Sequence, residues 1–298
     1  MQQQRRTDFN GAISALVTPF MNGEVDYASL EKLVAYQLEN GIKGFVVNGT
    51  TAESPTLTPA EVSKIFSMVR AQAGVNFPLI LGTGSNSTAK TIEATKKAFE
   101  LGASAALVVV PYYNKPPQRG LVEHFKAVAK NSEVPVILYN VPGRTITGMT
   151  VDTVAELSET KNILGIKEAT GDIKFDQELI SRVPKSFLLL SGDDPTYIDF
   201  LKLGGKGIIS VMSNLITKEC SRWTDLMMSG KVTEAEADFK KYLKLIGLMY
   251  CEANPIPLKW MLYKKGIIKS PEMRLPLVTL DTKFHAEITT EMQNLGLL

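Results

Sequence analysis

The stretch ILGIKEATGD, residues 163–172, decides the fold that we predict. Its first half is a short apolar run that contains a glycine, which is typical of a buried strand, and its second half is a turn leading into a helix. Lys167 stands at the carboxyl end of that strand. Burial of an ammonium is costly and lowers the pKa of a lysine amine toward the range in which the free amine attacks a carbonyl. A surface lysine just past a strand end is the alternative for Lys167 taken alone.

Seven further apolar runs occur along the chain, with helical patterns between them. They begin at Ala12, Gly44, Pro78, Ala105, Pro135, Phe187 and Gly207. The runs are continuous rather than alternating, as in strands that are buried on both faces. Helix signals separate them; for example, Thr58 can cap a helix whose first position is Pro59. Eight strand–helix units in succession predict an α/β fold, a (β/α)8 TIM barrel.

A doubly wound sheet is the alternative architecture. It usually has fewer strands and a phosphate-binding glycine loop after the first one, whereas the first run here ends in Thr18–Pro19–Phe20. Only helical patterns follow the last run, over Thr217–Ser229, Thr233–Tyr250, Ile256–Lys265 and His285–Leu297. We therefore predict a catalytic barrel over residues 1–225 and a C-terminal helical extension over residues 226–298.

Composition argues against several functional classes. A net charge of +2 on 298 residues gives no electrostatic case for nucleic acid or a membrane surface as partner. No apolar stretch approaches the roughly 20 residues that span a bilayer, and no signal-peptide pattern is visible, so we expect a cytoplasmic protein. Two cysteines and two histidines disfavour a disulfide framework, a zinc site and a histidine-based triad. We expect no metal and no cofactor, and we expect Lys, Tyr, Thr or carboxylates to move protons.

The reactive face of a (β/α)8 barrel is built from the carboxyl ends of its strands. The polar and small residues found there are Thr50, Thr51, Tyr112, Tyr113, Tyr139, Arg144, Lys167, Gly192, Asp193 and Asp194. Each has a structural explanation, since hydroxyls and aspartates cap helices and tyrosines pack in cores. Together they suit imine chemistry. A lysine attacks a ketone, a tyrosine transfers protons, threonines hold a carboxylate, and an arginine binds a second anionic substrate.

Seven motifs carry a resemblance that covers essentially the whole chain. They are GTTAES (49–54), YYNKP (112–116), LYNVPGRT (138–145), GIKEATGD (165–172), LSGDD (190–194), GIISV (207–211) and NPIPLK (254–259). In this order and spacing they resemble the pyruvate-dependent class I lyases, which include the N-acetylneuraminate lyases and the dihydrodipicolinate (4-hydroxy-tetrahydrodipicolinate) synthases. The VPGRT segment favours the synthase branch. Ala52 replaces a glycine of the family pattern, and we expect the turn to tolerate its methyl group because Ala52 need not have a positive φ.

The resemblance implies a reaction and a set of site residues. Lys167 forms a Schiff base with pyruvate, and the resulting enamine attacks the aldehyde of aspartate 4-semialdehyde on the route to lysine and diaminopimelate. By this resemblance, Tyr139 is the acid/base, and Thr50 and Tyr113 link it to solvent for proton transfer. Thr51 binds the carboxylate of pyruvate, and Arg144 binds that of the semialdehyde. Gly192 and Ile209 line the pyruvate pocket. The residue matching Tyr113 comes from a neighbouring subunit in the family, which implies a homotetramer built from dimers.

Two alternative functions stay open at this point. Another lyase of the family, acting on a sialic acid or a 2-keto-3-deoxy sugar acid, would use the same Lys167 and Tyr139, and Arg144 argues against it. The second alternative is a sensor, that is, a barrel that binds an oxo acid without turning it over.

Feedback inhibition by lysine is a separate expectation. Inhibited members offer an acidic residue to the lysine amine near the segment that matches GTGSNSTAK, where this chain has Lys90. Pro59 and Val62 stand where sensitive enzymes tend to have polar side chains, although Asn86 and Tyr112 remain. We therefore expect weak or absent inhibition.

Overall fold

The computed structural model of the protein describes residues 8–298, and in it all eight apolar runs form strands. Their bounds are β1 Gly11–Ala15, β4 Gly44–Val47, β5 Leu79–Gly82, β6 Ala105–Val109, β7 Val136–Asn140, β8 Ile163–Glu168, β9 Leu188–Ser191 and β10 Gly207–Ser210. They close into a parallel barrel in the hydrogen-bonded order β1–β10–β9–β8–β7–β6–β5–β4. Most of their side chains are buried, as continuous apolar runs require. The predicted (β/α)8 barrel is confirmed.

Helices alternate with these strands and then follow β10 to the C-terminus. They are α1 Tyr27–Glu39, α2 Pro59–Ala73, α3 Thr88–Leu101, α4 Gln118–Lys130, α5 Pro142–Thr145, α6 Val151–Ser158, α7 Ile173–Arg182, α8 Tyr197–Lys202, α9 Thr217–Met228, α10 Val232–Phe239, α11 Leu243–Leu248, α12 Ile256–Lys264 and α13 His285–Asn294. The predicted cap of α2 is confirmed, since Thr58 and Glu61 form a reciprocal capping box ahead of Pro59. The predicted division at residue 225 falls within α9 and stays a prediction.

A short hairpin that we did not predict follows β1. Strands β2 (Phe20–Met21) and β3 (Glu24–Val25) pair antiparallel across Asn22 and Gly23, which both have positive φ. Two consecutive positive φ angles are typical of the tight turn that Asn-Gly favours between antiparallel strands. The sequence therefore contained a signal for this hairpin.

The helix expected over Thr233–Tyr250 is interrupted in the structure. A 3-10 turn, Lys240–Tyr242, separates α10 from α11. Phe239 and Tyr242 both pack edge-on against Trp223, with ring centroids 5.3 and 5.0 Å away. Side chains three residues apart eclipse on a 3-10 turn, so the tighter winding lets both rings reach one indole.

The chain divides into two compact units. The first contains residues 8–11 and 76–209, and the second contains Ala12–Val75 and Ser210–Leu298. Both units carry residues that sequence analysis singled out.

Candidate active site

Lys167 and Tyr139 face each other in the first unit. They lie opposite one another in the parallel register of β7 and β8, so their side chains leave the sheet on the same face. The Lys167 ammonium nitrogen lies 4.3 Å from the centroid of the Tyr139 ring. Only 5% of Lys167 and 6% of Tyr139 is exposed. The prediction of a buried lysine at a strand end is confirmed, and the surface-lysine alternative is wrong.

Gly192 makes room for the Lys167 side chain. A Cβ built on Gly192 would lie 2.7 Å from Cε of Lys167 and 2.8 Å from the Cβ of Ala169. Both distances are shorter than carbon atoms can approach without displacement, so any larger residue would push the lysine aside. The Gly192 N–H donates to the Glu168 carbonyl oxygen (2.5 Å), which fixes this backbone beside the end of β8.

Behind the two facing side chains, the next residue on each strand forms a second pair. Asn140 Nδ2 donates to Glu168 Oε2 (2.8 Å), and the Thr170 N–H donates to Glu168 Oε1 (2.6 Å). Asn140 Oδ1 in turn accepts from the Met149 N–H (2.9 Å). Burial raises the pKa of Glu168, while these hydrogen bonds oppose the rise. Sequence analysis missed this pair, whose only signal was its position directly after Tyr139 and Lys167.

A further buried carboxyl group stands at the start of α7. Burial raises the pKa of Asp176 to about 7, and the neighbouring carboxylates of Glu168, Asp172 and Asp193 add to the rise. Asp176 is 2% exposed. A carboxyl group with such a pKa carries a proton for part of the time at neutral pH.

Arg144 lies on the short helix α5, which follows β7. Its side chain is exposed. The Thr145 hydroxyl closes the loop around Arg144, because its single hydrogen is shared between the carbonyl oxygens of Val141 (3.1 Å) and Thr147 (2.8 Å). The Met149–Asn140 hydrogen bond closes the same loop at its far end. Arg144 therefore lies on a segment that hydrogen bonds hold in place, directly after the strand that carries Tyr139.

Tyr113 follows β6 in an unusual conformation. Its φ is +75° and 88% of the residue is exposed. A bulky residue with positive φ is strained by about 1 kcal/mol or more, and within this chain the ring covers almost no apolar surface. Ile209, the remaining predicted site residue of this unit, is fully buried in β10.

Thr50 and Thr51 lie in the second unit, directly after β4. They begin a 3-10 turn, Thr50–Ala52, in which Thr51 and Ala52 are each 2% exposed. Ala52 does not have a positive φ, as expected; the left-handed position is Glu53, with φ +57°. The methyl group of Ala52 is therefore compatible with the turn.

The Thr50–Ala52 turn is held by residues from the C-terminal part of the chain. Asn254 Nδ2 donates to Thr51 Oγ1 (3.1 Å), and Lys259 Nζ donates to Glu53 Oε1 (2.6 Å). Arg274 donates its backbone N–H to Glu53 Oε2 (3.1 Å). The side chains of Lys259 and Glu53 are 0% and 1% exposed. Burial lowers the pKa of Lys259 to about 8, although Glu53 opposes the shift.

Arg274 extends this network to the start of α2. Its guanidinium donates to Glu61 Oε1 (2.5 Å) and Oε2 (3.0 Å), and to the carbonyl oxygen of Thr56 (2.9 Å). The hydrogen bonds that Glu61 accepts from Arg274 and from Thr58 lower its pKa to about 2. Lys259 and Arg274 also both lie against the ring of Phe20, at 4.1 and 4.4 Å from its centroid. Sequence analysis quoted the NPIPLK motif but did not assign a role to Asn254 or Lys259.

Other polar residues have structural roles. His124 is buried against Phe125, its Nδ1 lies 2.9 Å from the Thr88 hydroxyl, and burial lowers its pKa to about 4. Asp193 accepts from the Thr196 N–H and hydroxyl ahead of α8, in agreement with a helix-start role. Within residues 8–298, no cluster of three or more His, Cys, Asp or Glu could hold a metal ion. Over the same range, no helix is long and apolar enough to cross a bilayer.

A family model, curated relatives and solved structures all relate this chain to the same family. Residues 8–295 match the model of the dihydrodipicolinate synthetase family. The 4-hydroxy-tetrahydrodipicolinate synthase of Bdellovibrio bacteriovorus is 52% identical over 98% of this chain and 99% of its own, and that of Coxiella burnetii is 44% identical over 97% and 99%. The crystal structure of the chloride-inhibited dihydrodipicolinate synthase from Acinetobacter baumannii, complexed with pyruvate, superposes with a TM-score of 0.95 at 41% identity, over 98% of this chain and all of that one.

Proposed function

We propose a function from a single premise: this chain belongs to the dihydrodipicolinate synthetase family. The proposed reaction is the condensation of pyruvate with L-aspartate 4-semialdehyde to 4-hydroxy-tetrahydrodipicolinate, a step of lysine and diaminopimelate biosynthesis. The observation that carries it is the buried Lys167 amine, 4.3 Å from the Tyr139 ring on the neighbouring strand. We place the enzyme in the cytoplasm, as the sequence led us to expect.

The reaction proceeds through an imine at Lys167 and uses no other cofactor. The amine adds to the ketone carbon of pyruvate and water leaves, which forms a C=N bond. The protonated imine withdraws electrons, so a methyl proton departs and an enamine results. The enamine carbon then adds to the aldehyde of the second substrate. Finally, the amino group of that substrate attacks the imine carbon, which closes the ring and releases the lysine amine.

Proton transfer in these steps is assigned to Tyr139. Its ring lies against the lysine, so its hydroxyl is on the same face of the sheet as the reacting atoms. Thr50 and Tyr113 relay protons between Tyr139 and solvent. Gly192 and Ile209 line the pyruvate pocket, and the tight fit between Gly192 and the Lys167 side chain supports the first of these roles.

The two substrate carboxylates are assigned to different parts of the chain. The Thr50–Thr51 turn binds the carboxylate of pyruvate, and Arg144 binds that of aspartate 4-semialdehyde. Arg144 is suited to this because a planar guanidinium matches a carboxylate with two parallel hydrogen bonds. Its exposure on a braced loop leaves it accessible to a ligand.

We further propose a homotetramer built from dimers, in which Tyr113 serves the site of the neighbouring subunit. The support is its 88% exposure together with its strained backbone, since an aromatic ring held outward at such a cost needs a partner surface.

The proposed function is tested by two assays run side by side. Pyruvate with aspartate 4-semialdehyde should turn over, whereas pyruvate with N-acetylmannosamine should not. The reverse result would assign the chain to sialic acid lyases. Trapping of pyruvate without turnover of either pair would make it a sensor.

Arg144→Ala should raise KM for aspartate 4-semialdehyde far more than KM for pyruvate. Loss of charge-assisted hydrogen bonds to a carboxylate is worth about 1.5–3 kcal/mol, which corresponds to roughly 10- to 150-fold. Steady-state kinetics with each substrate varied in turn measures both constants. Arg119→Ala, which removes the same charge from an exposed position on α4, is the matched control. Equal increases in both KM values would show that Arg144 has only a structural role.

L-lysine should inhibit the enzyme weakly or not at all. Lys90 is exposed on the first turn of α3 and places a positive charge where inhibited relatives have a negative one. Titration of L-lysine into the steady-state assay should give half-inhibition only above the millimolar range, and Lys90→Glu should lower that concentration. Half-inhibition of the unmodified enzyme at sub-millimolar lysine would contradict the prediction.

A further inference from the structure

We propose that Asn254 and Lys259 are positioning residues that hold the Thr50–Thr51 turn, with the Thr51 hydroxyl directed as a hydrogen-bond donor, for the carboxylate of the keto acid. The inference rests on the proposed function, which assigns that carboxylate to this turn. Neither residue touches the reacting atoms in this account. Both act through the residues of the turn.

The hydrogen bond between Asn254 and Thr51 determines what the threonine can offer a ligand. The amide Nδ2 of asparagine can only donate, so at 3.1 Å the Thr51 oxygen must accept. A hydroxyl has a single hydrogen, and here that hydrogen is left to point elsewhere. Because a carboxylate can only accept, a threonine held in this way is prepared for it. Thr51 is 2% exposed and Asn254 is 6% exposed, so water hardly competes for this arrangement.

The ion pair between Lys259 and Glu53 fixes the end of the same turn. Glu53 has a left-handed backbone, which is unfavourable for a non-glycine residue and persists only where its surroundings enforce it. The enforcing contacts are the Lys259 ammonium at 2.6 Å and the Arg274 N–H at 3.1 Å, one on each carboxylate oxygen. The backbone that leaves Ala52 is thereby held in one conformation.

Compared with apolar residues of the same volume, this ion pair contributes a defined position of the turn rather than additional stability. A buried ion pair is often no more stabilising than well-packed apolar residues of the same volume, because both charges must be desolvated. Here the Lys259 ammonium has three defined contacts, namely the Glu53 carboxylate, the Glu272 carbonyl oxygen at 2.7 Å and the Phe20 ring. Such a geometry fixes the carboxylate of Glu53, and with it the turn, in a way that apolar side chains would not.

Asn254→Asp tests the inference because it is nearly isosteric and reverses the hydrogen bond. An aspartate at this position would accept from the Thr51 hydroxyl and place a negative charge near the incoming carboxylate. We expect the pyruvate concentration that gives half-maximal borohydride trapping to rise roughly 10- to 100-fold, with KM for aspartate 4-semialdehyde changed by less than about threefold. Asn294→Asp, which adds the same charge at an exposed position on α13, should leave both values unchanged.

The effect should become smaller when Thr51 has no hydroxyl. In a Thr51→Val background, the increase in the half-saturating pyruvate concentration caused by Asn254→Asp should be at least about threefold smaller than it is with Thr51 present, since the charge of the aspartate remains but there is no hydroxyl left to reorient. A similar increase in both backgrounds would overturn the inference, as would an unchanged pyruvate dependence in Asn254→Asp alone. If Asn254→Asp does not fold, Asn254→Ala takes its place in the same cycle, with a smaller expected increase. Failure of the proposed function is a separate result, because it is measured on the unmodified enzyme, which would then not turn over pyruvate with aspartate 4-semialdehyde.

Discussion

Lys167→Ala should abolish reductive trapping of pyruvate and lower kcat by at least about 10³-fold while the protein remains folded. The unmodified enzyme, incubated with pyruvate and borohydride, should gain one reduced pyruvyl group on the peptide that contains Lys167. The expectation follows from geometry, since the amine is buried beside the Tyr139 ring and its side chain is confined by Gly192. Peptide mass mapping measures the adduct, and circular dichroism shows whether the variant has folded.

A matched control separates this lysine from lysines in general. Lys174→Ala removes an exposed ammonium from α7, the helix that follows β8, and should retain both trapping and turnover. An adduct that maps to any other lysine, or a Lys167→Ala enzyme that still turns over, would refute the imine mechanism at this position.

Lys259→Met should lower the free energy of unfolding by about 3–5 kcal/mol. The substitution keeps the apolar stem but leaves the Glu53 carboxylate, which is 1% exposed, without its cation. Urea unfolding at a fixed protein concentration measures the loss. Lys264→Met on the same helix removes an exposed charge and should cost less than about 1 kcal/mol.

The double variant Glu53→Gln/Lys259→Met identifies the cause of that loss. If an uncompensated charge is responsible, neutralising the partner should restore part of the stability. A double variant that is less stable than Lys259→Met by the full cost of Glu53→Gln would show that the two side chains act independently.

The barrel could be predicted because each strand is a continuous apolar run, and that pattern depends on neighbouring residues alone. The same holds for the cap at Thr58 and for the burial of Lys167, which follows from its place at the end of such a run. The Asn22–Gly23 hairpin also had a local signal, although we did not use it. Local rules therefore account for the strands, the helix starts and the central lysine.

The contacts that hold the site could not be predicted in this way. Asn254 and Thr51 are 203 residues apart, and Lys259 and Glu53 are 206 apart. No periodicity or turn signal relates residues at such separations, and a single sequence carries no record of which polar residues meet. Asn140 and Glu168 pair because two strands share a register, which becomes visible only when the barrel is built. The roles of the site residues themselves came from the family resemblance.

During synthesis of the protein, the Lys259–Glu53 pair can form only after Lys259 has been added to the chain, so the Thr50–Ala52 turn lacks this contact until then. Glu53 leaves the peptidyl-transferase centre 206 residues before its partner, an interval on the order of 10–40 s at about 5–20 residues per second. During that interval the left-handed backbone at Glu53 has neither the ammonium of Lys259 nor the amide of Arg274 to hold it. A polypeptide released early, even one that contains every strand of the barrel, would lack the contacts that shape the Thr50–Thr51 turn. On the proposed assignment of the keto-acid carboxylate to this turn, competence for binding therefore requires nearly complete translation, and truncated products would not compete with finished molecules for the keto acid.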